Sequence, residues 1–170
     1  MKMTDGERLI VVMLAEIMEA MKLNGEINPS LVKTLAINKD DWAIRDTYTG
    51  IFGGEGPSDA DVSETYDILS MWSFIEYSIT QLDGDEATEA ANFHYPRFTG
   101  FDGNNDDHYG IAHTLIGEMG RFSEFRDHPM NSHSQATLPR YRAIKQKYDA
   151  AIGGALGAPL SFDELKDMLN

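Results

Sequence analysis

The chain has 170 residues, a formal net charge of −14 and no cysteine. The length suits one compact domain with its own hydrophobic core. The absence of cysteine excludes a disulfide framework, a cysteine zinc site, an iron–sulfur cluster and a thiol nucleophile. The charge disfavours nucleic-acid binding, because phosphate contacts need a basic surface. A cytoplasmic protein is expected, since Glu16 and Glu19 interrupt the apolar run near the N-terminus, unlike the uncharged core of a signal peptide or membrane span.

Caps and helix breakers predict four helices in the first half of the chain. The predicted N-caps are, in chain order, Thr4, Asn28, Asp40 or Asp41, and Ser58. The first helix is predicted to end at Asn24-Gly25, because glycine adopts the left-handed conformation that ends helices. The glycine-rich residues 53–57 separate the third helix from the fourth. The fourth helix is the longest and is apolar on nearly every side of its second half, which predicts a central position in the fold.

The second half has three predicted helices and a long ordered connection at about 83–106. These helices are predicted from Asp107 towards Phe125, from Leu138 to Ile152, and after a second capping box at Ser161 and Glu164. Residues 153–159 are predicted to be a flexible connector. The whole is predicted to be an all-α, compact multihelical single domain, or alternatively two helical lobes, residues 1–90 and 91–170.

Acidic residues are concentrated in residues 46–96, which contain eleven Asp and Glu and no Lys or Arg. One interpretation is a solvated helix surface that repulsion keeps soluble. The other is a surface for a protein partner with basic residues. The predicted partner-binding residues are Asp59, Asp61, Glu64 and Asp67. A second copy would offer a basic counter-surface, which predicts a homodimer. This counter-surface comprises Arg140, Arg142, Lys145 and Lys147.

Metal and enzyme signatures are weak. Five residues within a short stretch could serve as metal ligands: Asp102, Asp106, Asp107, His108 and His113. The two histidines do not share a helix face, and the stretch lacks the glycine and the final acid of a calcium loop. We therefore expect Asp102 and Asn104-Asn105 to cap the next helix and brace a turn. No metal or cofactor is predicted. There is no Gly-x-Ser-x-Gly elbow or phosphate-binding glycine loop, which makes an enzyme the less favoured class.

Four stretches contain residue choices that match no helix or strand period. They are Phe98-Thr99-Gly100-Phe101-Asp102-Gly103-Asn104, Gly120-Arg121-Phe122, Asn131-Ser132-His133 and Leu138-Pro139-Arg140-Tyr141. On these stretches, and on Glu7-Arg8-Leu9-Ile10 near the start, the chain resembles the YfbU-like family nearly end to end. The resemblance implies a compact multihelical bacterial protein and supplies no catalytic residue, cofactor or substrate. The glycine-rich residues 53–57 and 153–157 depart from the family pattern.

The polar residues of these stretches have two interpretations. In the structural one, Arg121 and Arg140 form salt bridges to acids such as Asp102, and His133 satisfies a backbone carbonyl. In the functional one, the polar residues line a cleft that binds a carboxylate or phosphate group. The predicted ligand-binding residues are Arg121, Asn131, His133, Arg140 and Tyr141.

Three functions therefore remain open. The favoured one is a non-enzymatic regulatory or stress accessory that binds another protein through the acidic surface. The second is a small-ligand or hydrolytic protein with the polar cleft as its site. The third is a DNA-associated regulator with a helix-turn-helix arrangement in residues 29–82, which Lys33, Lys39 and Arg45 are too few to support.

Overall fold

The structure, a computed structural model, describes residues 2–152 and 157–170. These residues contain nine α-helices and no β-strand, which confirms the predicted all-α class. The helices are α1 (Asp5–Ala20), α2 (Pro29–Asn38), α3 (Asp41–Thr47), α4 (Thr49–Phe52), α5 (Asp59–Thr80), α6 (Gly84–Ala90), α7 (Asp107–His113), α8 (Leu138–Ile152) and α9 (Phe162–Leu169). No helix in the described residues has both the length and the apolar character needed to cross a membrane.

The chain divides into two compact units, Met1–Gly56 and Pro57–Asn170, here called unit 1 and unit 2. The division falls beside the predicted glycine-rich break and not near residue 90, where the boundary between two lobes was predicted. The predicted connector at 153–159 lies mostly outside the described residues.

Unit 1 is built on α1 packed along α2, followed by α3 and α4. Arg8 on α1 holds these elements together, because its Nη1 donates to Ala36 O at 2.6 Å and to Asp41 Oδ1 at 2.9 Å. The Arg8 guanidinium lowers the pKa of Asp41, and so does the backbone N–H of Met3. The capping box predicted at Thr4 and Glu7 is present.

Unit 2 holds the hydrophobic core, with α5 in contact with α6, α7, α8 and α9. The predicted central position of this helix within its unit is confirmed. Trp72 on α5 is fully buried, and its ring centroid lies 5.5 Å from that of Tyr141 and 6.5 Å from that of Phe98. Offset aromatic contacts of this kind add to the stabilisation from burial. They attach α8 and the connection after α6 to the central helix.

Helix ends differ from prediction at several places. The first helix ends four residues early, because Lys22 adopts the left-handed conformation (φ 54°) and the Leu23 N–H donates to Met18 O. The third predicted helix is two helices, α3 and α4, interrupted at Tyr48. The seventh α-helix ends at His113 and continues as a π-helical turn, Thr114–Glu118, before a separate 3₁₀ turn, Ser123–Phe125.

The predicted connection at 83–106 contains a helix, α6, that the sequence analysis missed. The later part is irregular and is held by tertiary contacts. Phe101 pairs with Asn131 in an isolated parallel bridge, in which the Phe101 N–H donates to Met130 O at 3.1 Å and the Ser132 N–H donates to Phe101 O at 2.8 Å. This bridge joins two of the stretches that carry the family resemblance.

Candidate functional site

Asp102 braces a turn, as predicted, but it does not cap the next helix, because the N-cap residue of α7 is Asp106, without a side-chain cap hydrogen bond. Asp102 Oδ1 accepts the Asn104 N–H at 2.9 Å and its Oδ2 accepts Asn105 Nδ2 at 2.7 Å. These hydrogen bonds, that of Asn105 foremost, lower the pKa of the Asp102 carboxyl. Asp102 is therefore engaged locally, and neither Arg121 nor Arg140 bonds to it.

Arg140 lies against two tyrosine rings. Its Cζ is 4.1 Å from the ring centroid of Tyr95 and 5.2 Å from that of Tyr141. Its Nη2 donates to Thr99 Oγ1 at 2.8 Å, and its Nε is buried without a hydrogen-bond partner. Among the described residues it forms no ion pair. A guanidinium stacked on rings with a free donor has the chemistry to bind a carboxylate or phosphate.

Arg121 is also held by an aromatic side chain. Its Nη1 donates to the Tyr66 hydroxyl at 2.8 Å, and its Cζ lies 5.6 Å from the Tyr66 ring centroid. Nor does it form an ion pair in the part of the chain that the structure describes. The predicted salt bridges of Arg121 and Arg140 to acids are therefore wrong.

The remaining predicted ligand-binding residues have structural contacts. Asn131 Oδ1 accepts the backbone N–H groups of Gly103 at 3.2 Å and His133 at 2.8 Å. The buried Tyr141 donates its hydroxyl to Gly100 O at 2.8 Å. The structure thus brings Asn131 beside His133 and Arg140 beside Tyr141. Within the described residues, no hydrogen bond joins Arg121 to the other four.

The predicted partner-binding acids differ in their environment. Asp59 and Asp67 are exposed and form no ion pair within the described residues, whereas Asp61 accepts the Ser58 hydroxyl at the start of α5. Glu64 binds Arg142 of the same chain through two bonds, Nε to Oε1 at 2.7 Å and Nη2 to Oε2 at 2.8 Å. The acidic surface and the basic run therefore meet at Glu64 inside one chain.

His108 completes a charged network around Glu64. Its side chain is buried, and its Nε2 lies 2.9 Å from Glu64 Oε2. An ionised carboxylate only accepts, so Nε2 must carry the hydrogen. Bonding to Arg142, and to a lesser extent to His108, lowers the pKa of Glu64 to about 2. A shallow groove of about 630 Å³ lies beside this network between α5 and α8.

The described residues contain one set of potential metal ligands that lie close together. It consists of Asp61, Glu64 and His108, whose ligand atoms lie within 4.8 Å of one another. Glu64 is not free to bind a cation, because both of its oxygens accept hydrogen bonds and Arg142 adds a positive charge at the same point. The arrangement is that of an ion-pair network. A metal ion would have to displace Arg142.

A different kind of surface covers α1. The exposed side of this helix and of its C-cap residue carries six large apolar residues, here called the apolar stripe: Leu9, Ile10, Met13, Leu14, Ile17 and Met21, which are 50–63% exposed. The neighbouring side of the helix, with Val11, Ala15 and Met18, lines a groove of about 180 Å³, which Leu14 of the stripe and α2 also border. Six such side chains offer roughly 500–600 Å² of apolar area, the upper end for the largest patch of a typical monomer.

The comparisons with known proteins identify the family. The model of the YfbU domain matches residues 1–170, the whole of the chain. The chain belongs to the YfbU family. Neither a curated protein nor a solved structure matches it. The family resemblance stated from the sequence is therefore confirmed.

Sequence reasoning missed two of these features in this YfbU protein. The network at Glu64 joins residues 44 and 78 positions apart, which no local spacing indicates. The apolar stripe was visible only as the apolar run of a predicted helix. A signal did exist, because apolar residues cover more than one side of this helix, and one side is sufficient for packing against a single neighbour.

Proposed function

We propose that this YfbU protein acts, without catalysing a reaction, as a cytoplasmic accessory that binds another protein, and that the apolar stripe is its contact surface. The observation that supports this proposal is the exposure of six large apolar residues along one side of a 16-residue helix and its C-cap residue. Such a helix is about 24 Å long, enough for the apolar face of a partner helix to lie along it. The partner thus presents an apolar helix face.

The acidic surface is the second part of the proposal. Asp59 and Asp67 are exposed without ion pairs, and they suit a basic rim on the partner. Glu64 is already paired with Arg142, and so it contributes less than the sequence suggested. DNA binding gains no support, because Lys33, one of the three basic residues on which it depended, is paired with Glu19.

The proposal predicts that partner capture depends on the stripe. A tagged chain, expressed with an untagged copy, is used to capture proteins from source cells, and each captured protein is purified and tested for direct binding. The double variant Ile10→Glu/Ile17→Glu should lose the partner, because burying two carboxylates in an apolar contact is costly. The variant Asp59→Asn/Asp67→Asn should retain it with a slower association rate. Equal direct binding to the wild type and the stripe variant would contradict the proposal.

Arg140 favours a second candidate function, the binding of a small anionic ligand. Inorganic phosphate, followed by chemical-shift changes at the Thr99 amide, should bind the wild type and bind the Arg140→Lys variant about tenfold more weakly, because lysine lacks the planar fork and stacks poorly on tyrosine. Lysine keeps the charge, which controls for simple attraction. Identical titrations of the two proteins, or no shift in either, would remove this candidate.

A further inference from the structure

We infer that the partner on the apolar stripe is a second copy of this chain, with the two α1 helices antiparallel across a twofold axis near Met13. The inference rests on the proposed function, because it names the partner of the same surface. Three properties of unit 1 support it: its small core, the symmetry of the stripe and its charge.

Unit 1 has too little core of its own. Among its described residues only Ala15, Ala36 and Ile44 are buried apolar residues. Eleven large apolar residues of the same unit are exposed, six of them in the stripe. A unit of this size is only marginally stable when its core is small, and oligomerisation is one way to bury more apolar surface. If unit 1 needs a partner on the stripe in order to fold, that partner must be present whenever the chain is made. A second copy of the chain meets this condition.

The stripe has the symmetry that a twofold contact requires. In such a contact the same surface meets itself after a half turn. The centre of the stripe is the pair Met13-Leu14, and Ile10 and Ile17 lie three positions before and after this pair. The four central residues of the stripe are therefore balanced about this pair, whereas Leu9 and Met21 lie outside them. Its area of roughly 500–600 Å², with neighbouring residues at its edge, approaches the approximately 800 Å² per partner of a standard interface.

Charge also favours contact through unit 1. Unit 1 has six basic and nine acidic residues, whereas unit 2 has eight basic and nineteen acidic residues. Two copies that meet through unit 1 therefore oppose much less like charge. An antiparallel pair also places the acidic first turn of one α1, with Asp5 and Glu7, near the end of the other, where Lys22 follows the helix.

Sedimentation equilibrium provides the first test. The wild type should have twice the 19.0 kDa mass of the chain, and the Ile10→Glu/Ile17→Glu variant should have a single chain mass. The matched control is Ile51→Glu/Tyr77→Glu, which adds the same charge at two exposed apolar residues outside α1 and should remain dimeric. A monomeric wild type, or a stripe variant that remains dimeric, would overturn the inference.

Disulfide trapping provides a second test that does not depend on a destabilising change. Since the chain has no cysteine, a single introduced cysteine can pair only with its copy. Met13→Cys should form a covalent dimer under mild oxidation, because the twofold axis brings the two residues together. Lys22→Cys should not, because antiparallel packing separates the helix ends. Efficient trapping of Lys22→Cys with none at Met13→Cys would refute the antiparallel arrangement.

The outcomes separate this inference from the proposed function. Suppose that the wild type is monomeric and that it captures a different protein, which the stripe variant does not bind. This result would overturn the second copy as partner but not the proposed function. If the wild type is monomeric and the stripe variant binds every protein that the wild type binds, both the inference and the proposed function are overturned. In a monomer, protection of Met13 and Met21 from oxidation would show that the chain covers its own stripe, which also overturns both.

Discussion

Replacing Gly100 with alanine is expected to destabilise unit 2 by about 3–5 kcal/mol, because two independent costs fall on one residue. Gly100 has φ +81°, where a Cβ is strained. An added Cβ would also lie 2.3 Å from Met130 O and 2.6 Å from Pro129 O. Both atoms belong to the backbone, so they cannot move away as a flexible side chain would.

The position also anchors the surrounding hydrogen bonds. Gly100 O accepts the Tyr141 hydroxyl at 2.8 Å and Thr137 Oγ1 at 3.0 Å, and both bonds are buried. A displaced backbone would leave these donors without their acceptor, which costs about 1–3 kcal/mol for each group left unsatisfied. We therefore expect the alanine to disturb the connection between the bridge at Phe101 and the start of α8.

Urea unfolding followed by tryptophan fluorescence measures this effect. In a Trp42→Phe background the fully buried Trp72 is the only tryptophan, and it reports on unit 2. The matched control is Gly110→Ala, since Gly110 lies in α7, where an added Cβ would meet no other part of the protein within 4 Å beyond its chain neighbours and the helix's own backbone. That change should stabilise the protein by about 0.5–1 kcal/mol. A loss below about 1 kcal/mol for Gly100→Ala would contradict the packing described here.

Local signals predicted the helix starts well. Four of the predicted N-cap residues cap a helix through a side-chain oxygen: Thr4, Asn28, Ser58 and Ser161. A cap acts within three residues of itself, so the sequence pattern contains the whole interaction. The long apolar α5 was predictable for a similar reason, because a helix that is apolar on nearly every side must be enclosed.

Helix ends and the irregular connection were less predictable. Lys22 adopts the left-handed conformation that was predicted for Gly25, and Lys39 adopts the same conformation at the end of the second helix. Both helices close with hydrogen bonds that do not need glycine. The connection after α6 is ordered by aromatic packing and by the bridge to Asn131. Such contacts depend on residues far apart in the chain. The repeated phenylalanines showed that packing would order the segment, but not which partners would do so.

The candidate sites show the same contrast between local features, which the sequence indicates, and contacts between distant residues, which it does not. Arg121 and Arg140 were selected from the sequence, but the wrong partners were predicted for them. The sequence contains many acids and gives no indication that tyrosines would hold both guanidinium groups. Burial could not be judged for the apolar stripe either. A helical pattern shows which side chains share a face, and only the structure shows whether a neighbour covers that face.

The variant Glu64→Gln is expected to destabilise the protein by about 1–2 kcal/mol at neutral pH. The change removes the charge that binds Arg142 through two bonds and leaves the buried His108 Nε2–H with a weaker acceptor. Almost a third of the Glu64 side chain and about half of the Arg142 side chain are open to water. Solvent screening therefore keeps the loss below that of a fully buried pair.

The pH dependence of stability provides a specific signature of this network. Glu64 has a pKa of about 2 in the folded protein and 4.5 as the ordinary value. Its depressed pKa means that its stabilisation is complete above pH 4.5 and is lost as the pH falls from about 4.5 towards 2. The wild type should therefore lose about 1–2 kcal/mol more than Glu64→Gln over this range, because the glutamine cannot take up a proton.

The control for both measurements is Asp67→Asn on the same helix. Asp67 is exposed and forms no ion pair within the described residues, so its stability should change by less than about 0.5 kcal/mol and its acid unfolding should follow that of the wild type. Chemical denaturation at a series of pH values tests all three proteins. If Glu64→Gln followed the wild type from pH 5 to pH 2, Glu64 would not be the group whose protonation weakens the fold, and the contact between α5 and α8 would owe its stability to apolar packing.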